Sequence, residues 1–341
     1  MSSNSRLDGC VTAPEHGVSA PRSGGHLWAI VLAGGDGVRL RPLTRHLCGD
    51  ERPKQYVPLL GSRSLLRQTL ERVGLGIPTE RTVIVSQQRH ARYLAADLSG
   101  ARTPRVLIQP ETRGTAAGIL FPAHWIHWRD PDATVAIFPS DHYIPDSVTF
   151  MGHVRDVAGF VDQRPELLVL LGARPTEPET EYGWIEPGPA IGRIGTEPIC
   201  RVRRFWEKPS LELARTALSV GCLWNTFVFV TKTATLLAEG QRAVPELNDR
   251  LGRIAPFAGT EHEPWAVRQA YALAPTANFS RAILEGSPRL AVSRLPGLIW
   301  SDWGTPGRVI QSLERAGISP PWLDWSAESR HTAAARRSVA L

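Results

Sequence analysis

A short apolar run that breaks into glycines limits the fold more than any other stretch of this 341-residue chain. Residues 29–32 read as a strand buried on both faces, the pattern of a parallel sheet. Gly34, Gly35 and Gly37 follow almost at once, then Arg39 and Arg41. Glycines in such a turn let backbone N–H groups approach an anion with no Cβ in the way. A turn at the carboxyl end of a first strand is also where open α/β sheets take nucleotides. Two familiar phosphate loops each fail here. A P-loop closes on Gly-Lys-Ser/Thr, where this chain has Gly37-Val38-Arg39. A dinucleotide fingerprint needs a glycine where this chain has Leu40.

Strands and helices then alternate with short links, which predicts an α/β fold with a mostly parallel, doubly wound sheet. Ser64 reads as the cap of an amphipathic helix reaching about residue 73, with Leu65, Leu66, Thr69, Leu70 and Val73 on one face. Residues 82–85, 105–108, 134–138 and 167–172 read as strands, 90–98 and 116–128 as helices, and 232–290 as helical with proline breaks. Residues 1–26 are Ser/Gly/Pro-rich without an apolar core segment, so they read as a disordered leader rather than a secretory signal. Residues 323–341 read as a disordered tail, leaving one domain over 27–322.

Composition excludes several classes. No window approaches the roughly 18 uninterrupted apolar residues of a membrane span. The net charge of +6 invites a nucleic-acid reading, but no basic run exceeds two residues and no aromatics interleave, so nucleic acid is not an expected partner. Cys10, Cys48, Cys200 and Cys222 lack metal-site spacing and are expected as free thiols in a reducing cytoplasm. Only Lys54, Lys208 and Lys232 are lysines, so 39 − 3 = 36 basic residues are arginine. Where arginine is the default cation, a remaining lysine invites a chemical reason, because it is a compact point charge on a flexible stem.

The glycine stretch resembles the signature of sugar-1-phosphate nucleotidyltransferases, Leu-Ala-Gly-Gly-x-Gly-Thr-Arg-Leu-x-Pro-Leu-Thr followed by Pro-Lys. This chain carries Leu32, Ala33, Gly34, Gly35, Gly37, Arg39, Leu40, Pro42, Leu43, Thr44, Pro53 and Lys54, with Val38 for the usual Thr. Further segments resemble the family in its order. Residues 109–116 contain Gln109, Arg113, Gly114 and Thr115, with Gly114 in place of the Asn of Arg-Asn-Thr-Ala. Pro139-Ser140-Asp141-His142 is similar to the guanylyltransferases' Pro-Ala/Ser-Asp-His. Residues 178–185, Pro-Glu-Thr-Glu-Tyr-Gly-Trp-Ile, resemble Pro-Glu-Thr-Gly-Tyr-Gly-Tyr-Ile and include Tyr182 and Gly183. Phe205-Trp206-Glu207-Lys208-Pro209 resembles Phe-x-Glu-Lys-Pro. Leu223-Trp224-Asn225 and Trp300-Ser301-Asp302 complete the set, while Ser280 stands where guanylyltransferases often have Asp. Taken alone, these residues have plain structural readings: an Asp opening a turn, a turn glycine, a surface Glu-Lys pair, a satisfied buried Asn.

The resemblance implies a Rossmann-like three-layer α/β/α domain with an inserted sugar-binding portion over about 165–300. It implies transfer of a nucleotidyl group from a nucleoside triphosphate to a sugar 1-phosphate with release of pyrophosphate, GTP and mannose 1-phosphate being the expected pair. Arg39, Lys54 and Lys208 are the expected catalytic cations. Leu32, Ala33, Gly34, Gly35, Gly37, Gln109, Arg113, Gly114 and Thr115 are expected at the nucleotide. Tyr182, Gly183, Glu207 and Asn225 are expected at the sugar, and Asp141 and Asp302 on Mg2+. Lys54→Ala and Asp302→Ala are expected to fold normally and turn over slowly. Two rivals stand beside this reading: thymidylyl or adenylyl transfer to glucose 1-phosphate, and a non-catalytic nucleotide-sugar-binding regulator. Tyr143 occupies the second position of an Asp-x-Asp motif, which counts against a glycosyltransferase. Assembly into a homo-oligomer is left open.

Overall fold

The computed structural model describes residues 25–100 and 103–323. The expected leader and tail lie outside these residues except for Gly25, His26 and Leu323, and so does Cys10.

Nine strands form one sheet: β1 (Leu27–Leu32), β2 (Thr82–Gln87), β3 (Arg105–Gln109), β4 (Thr134–Pro139), β5 (Leu168–Ala173), β6 (Gly183–Ile194), β7 (Glu197–Glu207), β8 (Leu223–Lys232) and β9 (Leu290–Arg294). Their spatial order is β3-β2-β1-β4-β8-β5-β9-β7-β6. The α-helices are α1 (Arg41–Cys48), α2 (Leu65–Gly74), α3 (Ala91–Leu98), α4 (Gly114–Arg129), α5 (Ser147–Gln163), α6 (Leu211–Ser219), α7 (Thr233–Ala243), α8 (Pro245–Gly252), α9 (Glu263–Ala272) and α10 (Pro306–Arg315).

Strands β1 to β4 pair in parallel, as do β5 and β9. Traced through every pairing, only β7 and β8 run against the rest, so the sheet is mostly parallel as expected. The sequence does not announce that β8 inserts antiparallel between β4 and β5. A buried apolar run reads the same in either direction. The stretch 165–300 supplies β5 to β9 and therefore continues the same sheet.

Alternation along β1 builds the layers, because successive side chains point to opposite faces. Ala29 and Val31 join Leu66, Val73, Leu94, Phe150 and Val154 of α2, α3 and α5 in one core. Ile30 joins Leu120, Leu236, Leu247 and Tyr271 of α4, α7, α8 and α9 in the other. Burial on both faces is why the strand carries no polar residue. A smaller third core gathers Leu40, Leu43, Val57, Leu65, Tyr143, Trp303, Val309 and Leu313, and it anchors the loops described below.

Ser64 caps α2 as expected, its Oγ accepting from Arg67 N at 3.0 Å and donating to Asp97 at 2.7 Å. Cys48, Cys200 and Cys222 are free thiols. Among the described residues no helix is long and apolar enough to cross a membrane.

Candidate active site

The strand order reverses between β1 and β4, which makes their carboxyl ends a topological switch point. Leu32 and Pro139 are paired there, and Ser140 donates to the Leu32 carbonyl from both N (3.1 Å) and Oγ (2.7 Å). The glycine turn and the loop carrying Asp141 therefore leave the sheet side by side. Side chains hold the turn by its carbonyls. Gln55 Nε2 donates to Ala33 (3.1 Å) and Gly35 (2.8 Å), Tyr56 Oη to Ala33 (3.0 Å), and Gln87 Nε2 to Gly34 (2.7 Å). The Ala33 N–H is spent on Val85 O at 2.8 Å, so Ala33 is scaffold. The N–H groups of residues 34–37 have no protein partner among the described residues and are available to an anion. Gly37 has φ +56, and a Cβ there would stand 3.1 Å from Lys54 N, so this position requires glycine.

Asp141 and Asp302 come together through an isolated antiparallel bridge. Tyr143 N donates to Ser301 O at 2.9 Å and Ser301 N to Tyr143 O at 3.1 Å. Beside the bridge, the Tyr143 and Trp303 rings stack at 4.6 Å and 9°. Tyr143, which breaks the Asp-x-Asp pattern, thus clamps the two loops. Lys54 is buried between them. Its Nζ lies 3.2 Å from Asp141 Oδ2 and donates to the carbonyls of Asp302 and Trp303, the latter at 3.3 Å. The Asp302 carboxylate accepts from Tyr182 Oη (2.6 Å), Gly304 N (2.9 Å) and Arg308 Nη1 (3.2 Å). Burial works to raise the pKa of Asp302, but Lys54, the Tyr182 hydrogen bond and Arg308 outweigh it and hold the carboxyl below the usual range. Neighbouring His142 is driven down to about 4 by burial and is neutral, with Trp300 Nε1 donating to its Nδ1 at 3.2 Å. Gly37, Arg39, Lys54, Asp141, His142 and Asp302 line one cavity of about 330 Å3.

A second cavity, of about 260 Å3, continues from the glycine turn and is lined by Leu32, Gly34, Gly35, Gln109, Gly114 and Thr115 among others. Gln109 is fixed by Tyr271 Oη, which donates to its Oε1 at 3.0 Å. Thr115 Oγ1 accepts from Phe279 N at 2.8 Å. Gly114 has φ +78, and an added Cβ would collide with the Ala277 backbone, its carbonyl carbon only 2.8 Å away. The packing thus explains why Asn is absent from this position. Arg113 does not line the cavity. Its guanidinium donates to the Tyr271 carbonyl (3.1 Å), the Ala272 carbonyl (3.3 Å) and Glu111 (2.7 Å), closing the end of α9.

Among the residues expected at the sugar, Gly183 lies against Glu207 and Asn225. A Cβ there would meet Glu207 Oε2 at 3.1 Å and Asn225 Cβ at 3.2 Å. Burial raises the Glu207 pKa, against a hydrogen bond from Ser280 and the nearby charges of Lys208 and Arg281. Asn225 Oδ1 accepts from Phe227 N at 3.1 Å. Tyr182 instead faces Asp302, with Arg308 over its ring at 4.6 Å. Lys208 Nζ and Arg39 Nη1 both reach Glu181 Oε2, at 3.2 and 3.0 Å.

Residues 28–314 match the family described as nucleotidyl transferase. The chain belongs to that family. It is 30% identical over 295 residues to the xanthan biosynthesis protein XanB of Xanthomonas campestris pv. campestris, covering 84% of this chain and 60% of that one. It is 29% identical to a mannose-1-phosphate guanylyltransferase of Sinorhizobium fredii, covering 84% of this chain and 54% of that one. The chain thus spans little more than half the length of these curated relatives. A crystal structure of a Thermus thermophilus protein, described as a mannose-1-phosphate geranyltransferase, superposes with a TM-score of 0.72 at 30% identity, covering 87% of this chain and 80% of that one.

Several residues around this cavity are not singled out by the sequence. Arg308 grips Asp302 and Glu179, and Glu181 joins two cations. Gln55 follows Lys54 directly and Glu181 lies inside the 178–185 segment, so position beside or within a motif was the available cue.

Proposed function

We propose that this chain transfers a guanylyl group from GTP to mannose 1-phosphate, releasing pyrophosphate and giving GDP-mannose. The observation that carries this reading is the meeting of the glycine turn, Arg39, Lys54, Asp141 and Asp302 in one cavity at the switch point. Relatives at about 30% identity that bear the name mannose-1-phosphate guanylyltransferase support the choice of sugar and base.

A sugar-phosphate oxygen attacks the α-phosphorus in line, a P–O bond forms, and the bond to the β-phosphate oxygen breaks with its electrons leaving on pyrophosphate. Chemistry of this kind asks mainly for positioning and charge neutralisation, so no protein nucleophile is needed. The N–H groups of residues 34–37 and Arg39 receive the leaving phosphates. Lys208 steers the attacking phosphate, and Glu207 and Asn225 hold sugar hydroxyls beside the bare backbone of Gly183. Lys54 braces the two aspartates and presents its charge to the α-phosphate side.

Two carboxylates offer hard oxygen donors, and Mg2+ is usually held by one or two carboxylates, with water and substrate phosphate completing its shell. Asp141 and Asp302 fit that donor set and would hold the ion. When bound, it supplies Lewis-acid neutralisation of the reacting phosphates. We place the chain in a reducing cytoplasm on the spacing of its four cysteines, which forms no metal-site pattern.

The test is pyrophosphate release from each of the four nucleoside triphosphates with mannose or glucose 1-phosphate. GTP with mannose 1-phosphate is expected to be the best pair. Finding it the poorest would overturn the assignment. The side-chain-free Gly114 favours a wider base tolerance, so a thymidylyl or adenylyl preference with glucose 1-phosphate is the rival outcome. Tight sugar-nucleotide binding in calorimetry with no turnover from any pair would support a regulator instead.

A further inference from the structure

Glu181 turns two cations of the site into one unit. Its Oε2 accepts from Arg39 Nη1 at 3.0 Å and from Lys208 Nζ at 3.2 Å. Arg39 follows the glycine turn, Lys208 follows β7, and neither has another carboxylate partner among the described residues. The segment is fixed from both sides. Lys208 N donates to Tyr182 O at 3.2 Å, and Glu181 N donates to Glu179 Oε1 at 2.7 Å. Glu179 in turn pairs with Arg308, which holds Asp302. The Lys208 hydrogen bond, followed by the Lys208 charge with help from Arg39, keeps the Glu181 carboxyl below the usual range, so it is an anion. The pattern that residues 178–185 resemble has glycine at this position, which offers no such charge.

In the reaction proposed above, Arg39 serves the leaving pyrophosphate and Lys208 the attacking phosphate. A carboxylate bonded to both stands between the two ends of the in-line path. We propose that Glu181 is a resident competitor for substrate phosphate, clasping Arg39 to Lys208 until an incoming polyphosphate takes both cations from it. This rests on the roles proposed for those two cations. Both ion pairs are half exposed, with side chains 44–48% accessible, so each is individually weak. A phosphate carries more charge than a carboxylate and can meet each cation with its own oxygen, where Glu181 shares the single Oε2 between them, so it displaces Glu181. Glu181 is thus a positioning residue that sets substrate affinity more than the chemical step.

The test is calorimetric titration of inorganic pyrophosphate into the full 341-residue chain and its Glu181→Gly and Glu181→Gln variants. Glutamine keeps volume and backbone while removing the charge, and the side chain is exposed enough that folding is not at stake. Affinity is expected to rise about three- to tenfold in both variants. In turnover, KM for triphosphate and sugar phosphate is expected to fall by a larger factor than any change in kcat. A merely structural residue would instead lower kcat and melting temperature together. Unchanged or weaker pyrophosphate binding in the variants overturns the clasp. Tightened pyrophosphate binding with no turnover from any substrate pair supports the clasp and contradicts the reaction. Turnover with unchanged pyrophosphate affinity contradicts the clasp alone.

Discussion

Lys54 is a buried cation with no idle donor. An ammonium has three N–H groups, and Asp141 with the carbonyls of Asp302 and Trp303 presents three acceptors. Lys54→Ala would strip all three of their partner, so the sequence-based expectation of a normally folding variant is revised. The variant is expected to lose about 1–3 kcal/mol of stability, read from its denaturant midpoint, together with turnover on the order of a hundredfold. Wild-type stability in that variant would mean the carbonyl contacts carry no structural weight. The site's charged residues were legible because a resemblance fixes residue type at fixed spacing. Their partners were not. Glu181 meets Arg39 across 142 positions and Arg308 meets Glu179 across 129, and in a linear chain such residues look like any solvated charge.

Elements carry this site through the small core beneath it. Trp303 is fully buried at φ +45, stacked on Tyr143, and packed with Val309 and Leu313 of α10. Trp303→Ala is expected to cost about 3–5 kcal/mol in denaturant unfolding and to slow turnover, because Asp302 loses the ring that fixes its loop. Turnover unchanged under folding conditions would show that Asp302 is held by Arg308 and Tyr182 without the stack. The sequence spoke plainly where one physical signal dominates, as in the Ser64 cap or the apolar β1. It was mute on the hairpin of β6 and β7. Pro187, Gly188 and Pro189 punctuate β6 like a loop, yet β6 ends the sheet order, where proline is tolerated, and its register slips at Pro187. Arg113 shows a related difficulty. A motif arginine beside a binding segment looks like a ligand, but the end of α9 lies within its reach.

At the scale of the whole molecule, the sheet gathers residues from distant parts of the chain. β1 and β4 deliver the glycine turn and Asp141 to one edge, and the Tyr143–Ser301 bridge returns Asp302 to them. This convergence was implied by motif order, whereas the bridge that enforces it became visible only in three dimensions. The most direct test is pyrophosphate release from GTP and mannose 1-phosphate while Mg2+ is titrated, comparing wild type with Asp302→Asn. Asparagine keeps the shape at that position and removes the charge. Wild-type turnover is expected to rise from near zero and saturate with Mg2+, while the folded variant stays on the order of a hundredfold slower at every concentration. Turnover independent of Mg2+, or an Asp302→Asn variant that matches wild type at saturation, would contradict two carboxylates sharing one ion.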